Sequence, residues 1–304
     1  MKGKKGMKAF YKRHRREIVA YSLMAVPILW WCVFFLFAFI RSIFFSFTDM
    51  RFAVENITRF NIDNYIRLFQ DQTFYRALLN TGIWTVVMTA ANNFFGIFAA
   101  FFVFKAVRGR RLFLALLFWP SLVSAVTGAQ ITKSIFNPSD TGVANVILRS
   151  IGLEALGWYN DPNLALFTLM IVPFLFGFSL SMMIYYVALM GVPSFYTEAA
   201  LMETNSQFAI FRYVYLPLIL NAFSLNLLLS IISNVKVMGP MQLIGDGLGG
   251  PLDSTQTLML FLYNKGIAGY EMGYACTVGV IVLIIILFFS AIQQKLTGKA
   301  VEYE

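Results

Sequence analysis

Apolar residues come in six long blocks along this chain, separated by short stretches in which the polar residues collect. The blocks are Ile18–Phe47, Ala77–Phe104, Leu112–Phe136, Leu164–Met190, Tyr213–Val235 and Gly273–Gln293. Each is about as long as the roughly 20 residues a helix needs to cross a hydrocarbon core of about 30 Å. Hydrocarbon offers the backbone no partners, so blocks of this length are expected to be helices that satisfy their own N–H and C=O groups. Pro27, Pro120, Pro173 and Pro217 fall inside the blocks or at their ends. Membrane helices tolerate proline because neighbouring groups re-satisfy the freed carbonyls. The pattern predicts an all-α integral membrane protein with six transmembrane helices.

Composition agrees and removes the alternatives. The chain is 59% hydrophobic, 17% aromatic and only 13% charged, with 32 Phe, 14 Tyr and 5 Trp. An average soluble domain is about 45–50% apolar and about 25% charged. A soluble globule of this composition would expose large apolar patches. Cys32 and Cys276 both lie within apolar blocks and form no ligand spacing, and His14 is the only histidine. A disulfide framework and any site built on two histidines are thereby excluded.

The net charge of +9 changes meaning once it is placed. Residues 1–17 hold Lys2, Lys4, Lys5, Lys8, Lys12, Arg13, Arg15 and Arg16, against Glu17. The link after the second block holds Lys105, Arg108, Arg110 and Arg111. The link after the fourth holds Arg212, Glu198 and Glu203, and the tail 295–304 holds Lys295, Lys299, Glu302 and Glu304. Together these four segments carry 15 basic and 5 acidic residues; the rest of the chain carries 9 and 10. Lys and Arg mark cytoplasmic loops, so both termini are expected in the cytoplasm. The charge is not read as a nucleic-acid signal. A basic tail ahead of an apolar run is also how a signal peptide begins. This first block is long and aromatic with no small-x-small site after it, so it is expected to remain as a membrane anchor. The chain thus divides into a basic tail (1–17), a six-span domain (18–294) and a C-terminal tail (295–304). The external segments are Thr48–Arg76, Asn137–Asn163 and a Gly-rich loop around Lys236–Met272.

No phosphate-binding loop, nucleophile elbow or zinc motif occurs, so catalysis by this chain is not expected. The informative link is Gly191–Asn205, followed by Ser206–Pro217. Pro193 should end the fourth span. Ser194 or Thr197 can cap a new helix over about 194–207, with Glu198 in its first turn against the helix dipole. Phe195, Tyr196, Ala199 and Ala200 would then offer a small-residue surface with an aromatic rim. Such a helix either docks into a groove on another protein or rests on the membrane surface.

Glu198-Ala199-Ala200, followed sixteen residues later by Leu216-Pro217, resembles the E-A-A…L-P loop of ABC importer permeases. Further stretches are similar to the carbohydrate branch of that family. Asn64-Tyr65-Ile66-Arg67-Leu68-Phe69 with Phe74–Thr81 resembles N-Y-x-x-L-F…F-x-x-A-L-x-N-T, and Gly249-Gly250-Pro251 with Thr255–Leu258 resembles G-G-P…T-x-T-L. Gly273-Tyr274-Ala275 opens the last block as in that branch. The order and spacing of these matches cover nearly the whole chain and are closest to the shorter oligosaccharide permeases. One departure is Glu203-Thr204-Asn205, where the family has Asp-Gly-Ala.

The resemblance implies a type I importer permease fold and a role as one of two membrane subunits of an ATP-driven importer. It implies a second permease, two ATP-binding cassette subunits that carry ATP and Mg, a solute-binding protein, a sugar as substrate, and a bacterial cell membrane. It makes Glu198, Ala199, Ala200, Glu203 and Thr204 the surface that couples to the ATPase. Gly249, Gly250 and Pro251 become the loop that meets the binding protein. In the fifth span Asn226, Ser230, Ser233 and Asn234 recur at i, i+4, i+7 and i+8 and share one helical face. Such a face can exchange hydrogen bonds with a sugar or with neighbouring helices. The resemblance puts Ser230, Asn234 and, in span four, Gly177 at sugar-contacting positions. Val237 and Leu180 replace an amide and a tyrosine, so the pocket differs from that of the maltose permease. Phe176 and Phe178 can stack on sugar rings or simply pack, and Lys236 can pair with an acidic group or snorkel. A permease for a non-sugar solute stays open. A self-sufficient secondary transporter would need a membrane-embedded acid, and none lies mid-span.

Overall fold

A computed structural model describes residue 16 and residues 19–51, 59–105, 109–244 and 247–301, with backbone alone for residue 125 and residues 296–301. The expectations for residues 1–15, Glu17, Ile18, Arg108, Gly245, Glu302 and Glu304 lie outside the described residues.

Regular structure among the described residues is helical, apart from one isolated antiparallel bridge between Thr48 and Phe60. The first span, α1 (Val19–Ser46), carries a π-helical stretch at Cys32–Leu36. Its Trp30, Trp31, Phe34 and Phe35 are more than half exposed, as lipid-facing side chains are. A short amphipathic helix, α2 (Asp63–Gln70), leads into α3 (Gln72–Lys105). At 1.5 Å per residue the 34 residues of α3 run about 51 Å, well beyond the bilayer core. The fourth block forms α7 (Ala165–Met190) with Pro173 inside it, as expected.

The third block differs from its reading as one continuous span. It is two helices, α4 (Arg110–Phe118) and α5 (Ala125–Ile135), bent by 94°. Pro120 sits in a 3₁₀ turn (Trp119–Leu122), Val123 is extended, and the Ser124 hydroxyl accepts the Thr127 N–H at 3.2 Å to start α5. A proline without an N–H followed by a good cap stops one helix and starts another. Among the described residues five helices are long and apolar enough to cross a membrane, six if this bent pair counts as one span. A short helix, α6 (Val143–Ser150), follows.

After α7 comes a short helix, α8 (Ser194–Glu203), then helical turns at Gln207–Ile210, Phe211–Tyr215 and Leu216–Leu218. The apolar run that continues from there is α9 (Leu220–Val235) with α10 (Gly239–Ile244). The last span is α12 (Met272–Val301), against which the second half of α1 packs.

The stretch around Lys236–Met272 is more than an external loop. Its α11 (Leu258–Tyr263) folds into the bundle, and Leu258, Leu260 and Phe261 are fully buried. Even with the π-helical turn Asn264–Ala268 that continues it, this helix is too short to cross, and it buries its apolar side chains against α3 and α12.

The tightest pairing is α3 against α7, and small residues make it possible. A Cβ on Gly96 would lie 2.7 Å from Ser181 Cβ, and one on Gly177 would strike the Asn92 amide. Among the described residues the buried apolar side chains form three clusters. Phe74, Phe261 and Tyr274 centre the first, Trp84, Leu169 and Met241 the second, and Met182, Tyr185 and Tyr215 the third.

Candidate functional site

At one end of the bundle, α8 starts one residue after Pro193 without a side-chain cap. Neither Ser194 nor Thr197 caps it, and Glu198 lies beyond its first turn. Pro193 itself supplies the extended backbone that starts the helix, so no hydroxyl is needed. Thr197 instead shares a 2.8 Å hydrogen bond with the Tyr215 hydroxyl. Tyr215 is buried against Phe101 and Phe104, and the Lys105 ammonium lies 5.1 Å from its ring centroid. The helix is thereby seated on the end of α3 and on the chain leading into α9.

The helix stops at Glu203, short of the expected 207. Thr204 is extended (φ −152°, ψ 143°), its hydroxyl accepts the Ser206 N–H, and Ser206 caps the next helical turn. Phe195 and Met202 are 71% and 89% exposed beside the exposed Glu198, Ala199 and Glu203. Ala200 is half-buried against Tyr215's cluster, and Glu198 has no ion-pair partner among the described residues. α8 thus exposes apolar side chains and an acid without an ion-pair partner among the described residues, and rests on a buried aromatic base.

In the middle of the bundle the polar face of α9 meets a second polar face. Thr85, Thr89, Asn92 and Asn93 recur on α3 at i, i+4, i+7 and i+8, the same spacing as on α9. That repetition is the signal sequence reasoning missed, along with Tyr185 on α7. Tyr185 donates its phenolic proton to Asn93 Oδ1, and the Asn226 amide donates to Asn93 Oδ1 at 2.9 Å and to the Tyr185 oxygen at 3.1 Å. The Asn93 amide donates to Thr89 O at 2.7 Å and to Ser230 Oγ at 3.4 Å. Asn234 donates to Thr89 Oγ1 at 3.1 Å, while Ser233 is exposed. Asn226 is thus buried and spends its amide on neighbouring helices; Ser230 and Asn234 keep partial exposure. The space over Gly177 is filled by Asn92, so its missing Cβ serves helix approach. Phe176 packs over Gly128 and Phe178 lies 5.5 Å from Phe174.

Two cavities, about 520 Å³ and about 490 Å³, lie along the α3–α9 seam and share Thr89, Ala90 and Leu227 in their walls. Their lining is almost wholly apolar, broken by Thr81, Thr85, Thr89 and Asn93.

The opposite end is a knot that brings separate sequence stretches together. Asn80 donates to the carbonyls of Asp253 and Gln256, both at 3.0 Å, and Thr81 Oγ1 accepts the Leu258 N–H at 2.9 Å. The Gly249-Gly250-Pro251 corner is pinned in this way to the start of α3. Gly250 has φ +70°, and a Cβ there would fall 2.6 Å from Thr255 Oγ1, so only glycine fits. Asn64 holds the Thr48 carbonyl at 2.8 Å. Arg67 pairs with Glu271 at 2.8 Å, and the same bond pushes its guanidinium further above the ordinary value. Lys236, at the end of α9, is exposed.

No family model matches the chain. It is 30% identical to the probable ABC transporter permease protein YurN of Bacillus subtilis, over 94% of this chain and 99% of that protein. It is 28% identical to the arabinooligosaccharides transport system permease protein AraP of the same organism, over 94% and 90%. Among solved structures it resembles a chain of a bacterial ABC transporter involved in the import of the acidic polysaccharide alginate. That match has a TM-score of 0.81 and 19% identity, covering 94% of this chain and 98% of the other, and speaks to the fold.

Proposed function

The chain belongs to the carbohydrate ABC transporter permease family, and from that premise we propose how its two ends and its middle divide the work. It is a multi-pass membrane subunit of a binding-protein-dependent sugar importer. In our reading it pairs with a second permease, and two separate ATPase subunits hydrolyse ATP. Each ATPase grips one helix equivalent to α8. The charge asymmetry, 15 basic against 5 acidic residues on one side, supports placing α8 and both termini in the cytoplasm. The binding protein delivers sugar at the other end, against the Gly249-Gly250-Pro251 corner. Sugar then passes along the α3–α9 seam, where Ser230, Ser233 and Asn234 offer hydroxyl and amide groups to its own hydroxyls.

The observation that carries the reading is the seating of α8. Its apolar, acidic face is exposed, while Thr197 and Ala200 rest on Tyr215. A push on α8 therefore reaches the ends of α3 and α9 directly. The buried Asn93–Tyr185–Asn226 trio ties α3, α7 and α9 into one body. Closing the ATPase dimer would swing that body and turn the seam outward, and ATP hydrolysis would reset it. This is alternating access by rigid-body movement around a central site.

Glu198→Lys tests the coupling role. We expect the variant subunit to insert and to co-purify with the second permease, while sugar uptake in proteoliposomes is abolished. Normal uptake by this variant would remove Glu198 from the coupling surface. Co-purification without any ATPase, even for the unaltered chain, would remove the importer assembly itself.

A further inference from the structure

A third cavity, of about 460 Å³, lies at the end of the bundle opposite α8. The 26-residue α7 separates the two ends by about 39 Å. The polar lining of this cavity is Lys133, Tyr159 and Asn160, and the rest comes from Ile244, Leu248, Gly250 and Pro251. Its mixed lining sets it apart from the apolar cavities of the α3–α9 seam.

Both walls are held rigid from behind. Tyr159 and Asn160 belong to the 3₁₀ turn Trp158–Asn160. Trp158 sits at φ +44°, a left-handed conformation that a bulky side chain adopts only under constraint. The constraint is visible. Its indole N–H donates to Asn145 Oδ1 at 2.7 Å, and Phe136 packs edge-on at 5.0 Å. Asn145 is fully buried; it donates to Ser139 O and Leu156 O and accepts the Leu156 N–H. The other wall is the Gly250-Pro251 corner, which Asn80 pins to α3. A preformed concave site of several hundred Å³ with a few fixed polar groups is the usual form of a small-molecule site.

Lys133 is the one cationic group in the cavity's lining among the described residues. It stands in the last turn of α5, half-buried in the cavity wall, with no carboxylate partner among the described residues. A lysine serving only the helix dipole can extend into water, whereas this one shares a cavity with a phenol and an amide. Tyr159 and Pro251 present flat apolar surfaces suited to the C–H face of a sugar ring. Asn160 can donate to and accept from ring hydroxyls, and the ammonium can take a carboxylate.

We propose that this cavity is an outer subsite for a saccharide bearing a carboxylate, a uronic-acid residue, with Lys133 as its anion contact. The proposal rests on the reading of the chain as a sugar importer subunit and names a substrate class for it. Delivery from a binding protein would bring the sugar here before it enters the seam.

The test is a titration of the purified complete importer in detergent, without binding protein, followed by saturation-transfer NMR of the sugar. Trigalacturonate should bind about tenfold more tightly than maltotriose, and Lys133→Gln should weaken trigalacturonate about tenfold while leaving maltotriose unchanged. Lys133→Arg keeps the charge and should retain most of the preference; co-purification of all subunits checks that each variant is assembled. Equal binding of the two sugars, no binding of either, or undiminished trigalacturonate binding by Lys133→Gln overturns the proposal. The carboxylate could instead come from an acidic side chain of the docked binding protein. Lys133→Gln would then weaken ATPase stimulation equally for neutral and acidic cargo, which also overturns it. Failure of the importer reading looks different: the unaltered assembly would show no uptake with any sugar-loaded binding protein.

Discussion

The Asn93–Tyr185–Asn226 trio makes a prediction whose sign, not only its size, depends on the hydrogen-bond directions. Asn93 is 4% exposed and sits at the centre, accepting from both Tyr185 and Asn226. Tyr185→Phe removes the phenol but leaves Asn226 donating to Asn93, so no buried group loses its last partner. Its expected cost is about 0.6–1 kcal/mol, the usual scale for an interhelical hydrogen bond in a membrane. Asn93→Leu conserves size but strands the phenolic proton. Whichever way Asn226 turns its amide, donors remain without acceptors. That should cost roughly 2–3 kcal/mol, a factor of about 30–150 in the folding equilibrium. Adding Tyr185→Phe to Asn93→Leu then removes an orphaned donor. The second substitution should cost nothing, or restore up to about 1 kcal/mol. Unfolding of the purified permease in mixed micelles, followed by tryptophan fluorescence, gives the four stabilities of the cycle. If the two single costs simply add, Asn93 is not the shared acceptor and the trio does not tie three spans together.

Asn80→Ala removes two hydrogen bonds to the Asp253 and Gln256 carbonyls. We expect a loss of roughly 2 kcal/mol, and faster proteolysis at the Gly249–Asp253 corner of detergent-purified protein. Unchanged cleavage there would mean that the corner is held by other contacts. Thr197→Val and Tyr215→Phe each remove the hydroxyl pair beneath α8. Each should lower ATP-driven uptake while basal ATPase activity of the assembled complex stays the same, since neither touches the exposed face of α8. The double variant should be no worse than either single one, and additive losses would show that the two hydroxyls act separately.

The apolar blocks were legible because membrane insertion is a local property. About 20 consecutive apolar residues make a span whatever surrounds them, and α1, α3, α7 and α12 lie where the blocks predicted. The exposed α8 was legible for a similar reason, since Pro193 ends one helix and starts the next within a few residues. Its caps were misread because Pro193 needs no hydroxyl to start a helix and Thr197 is engaged by Tyr215, eighteen residues away. The bend at Pro120 was ambiguous because proline in a membrane helix is either absorbed by neighbours or ends the helix, and the neighbours are non-local.

The sequence by itself determined that the chain is a helical membrane protein, where its long apolar runs lie, which links between them collect the basic residues, and that one linker presents an acid beside alanines. Only the tertiary structure decided what the polar residues do. Asn226 and Asn93 are 133 residues apart, and their pairing depends on how α3 and α9 are rotated about their axes. That rotation is set by the packing of whole helix faces, so no spacing within one helix reveals it. The same holds for the Gly249-Gly250-Pro251 corner, pinned by a residue about 170 positions earlier. It holds too for α11, which reads as loop in a linear pattern and is buried because α3 and α12 close around it.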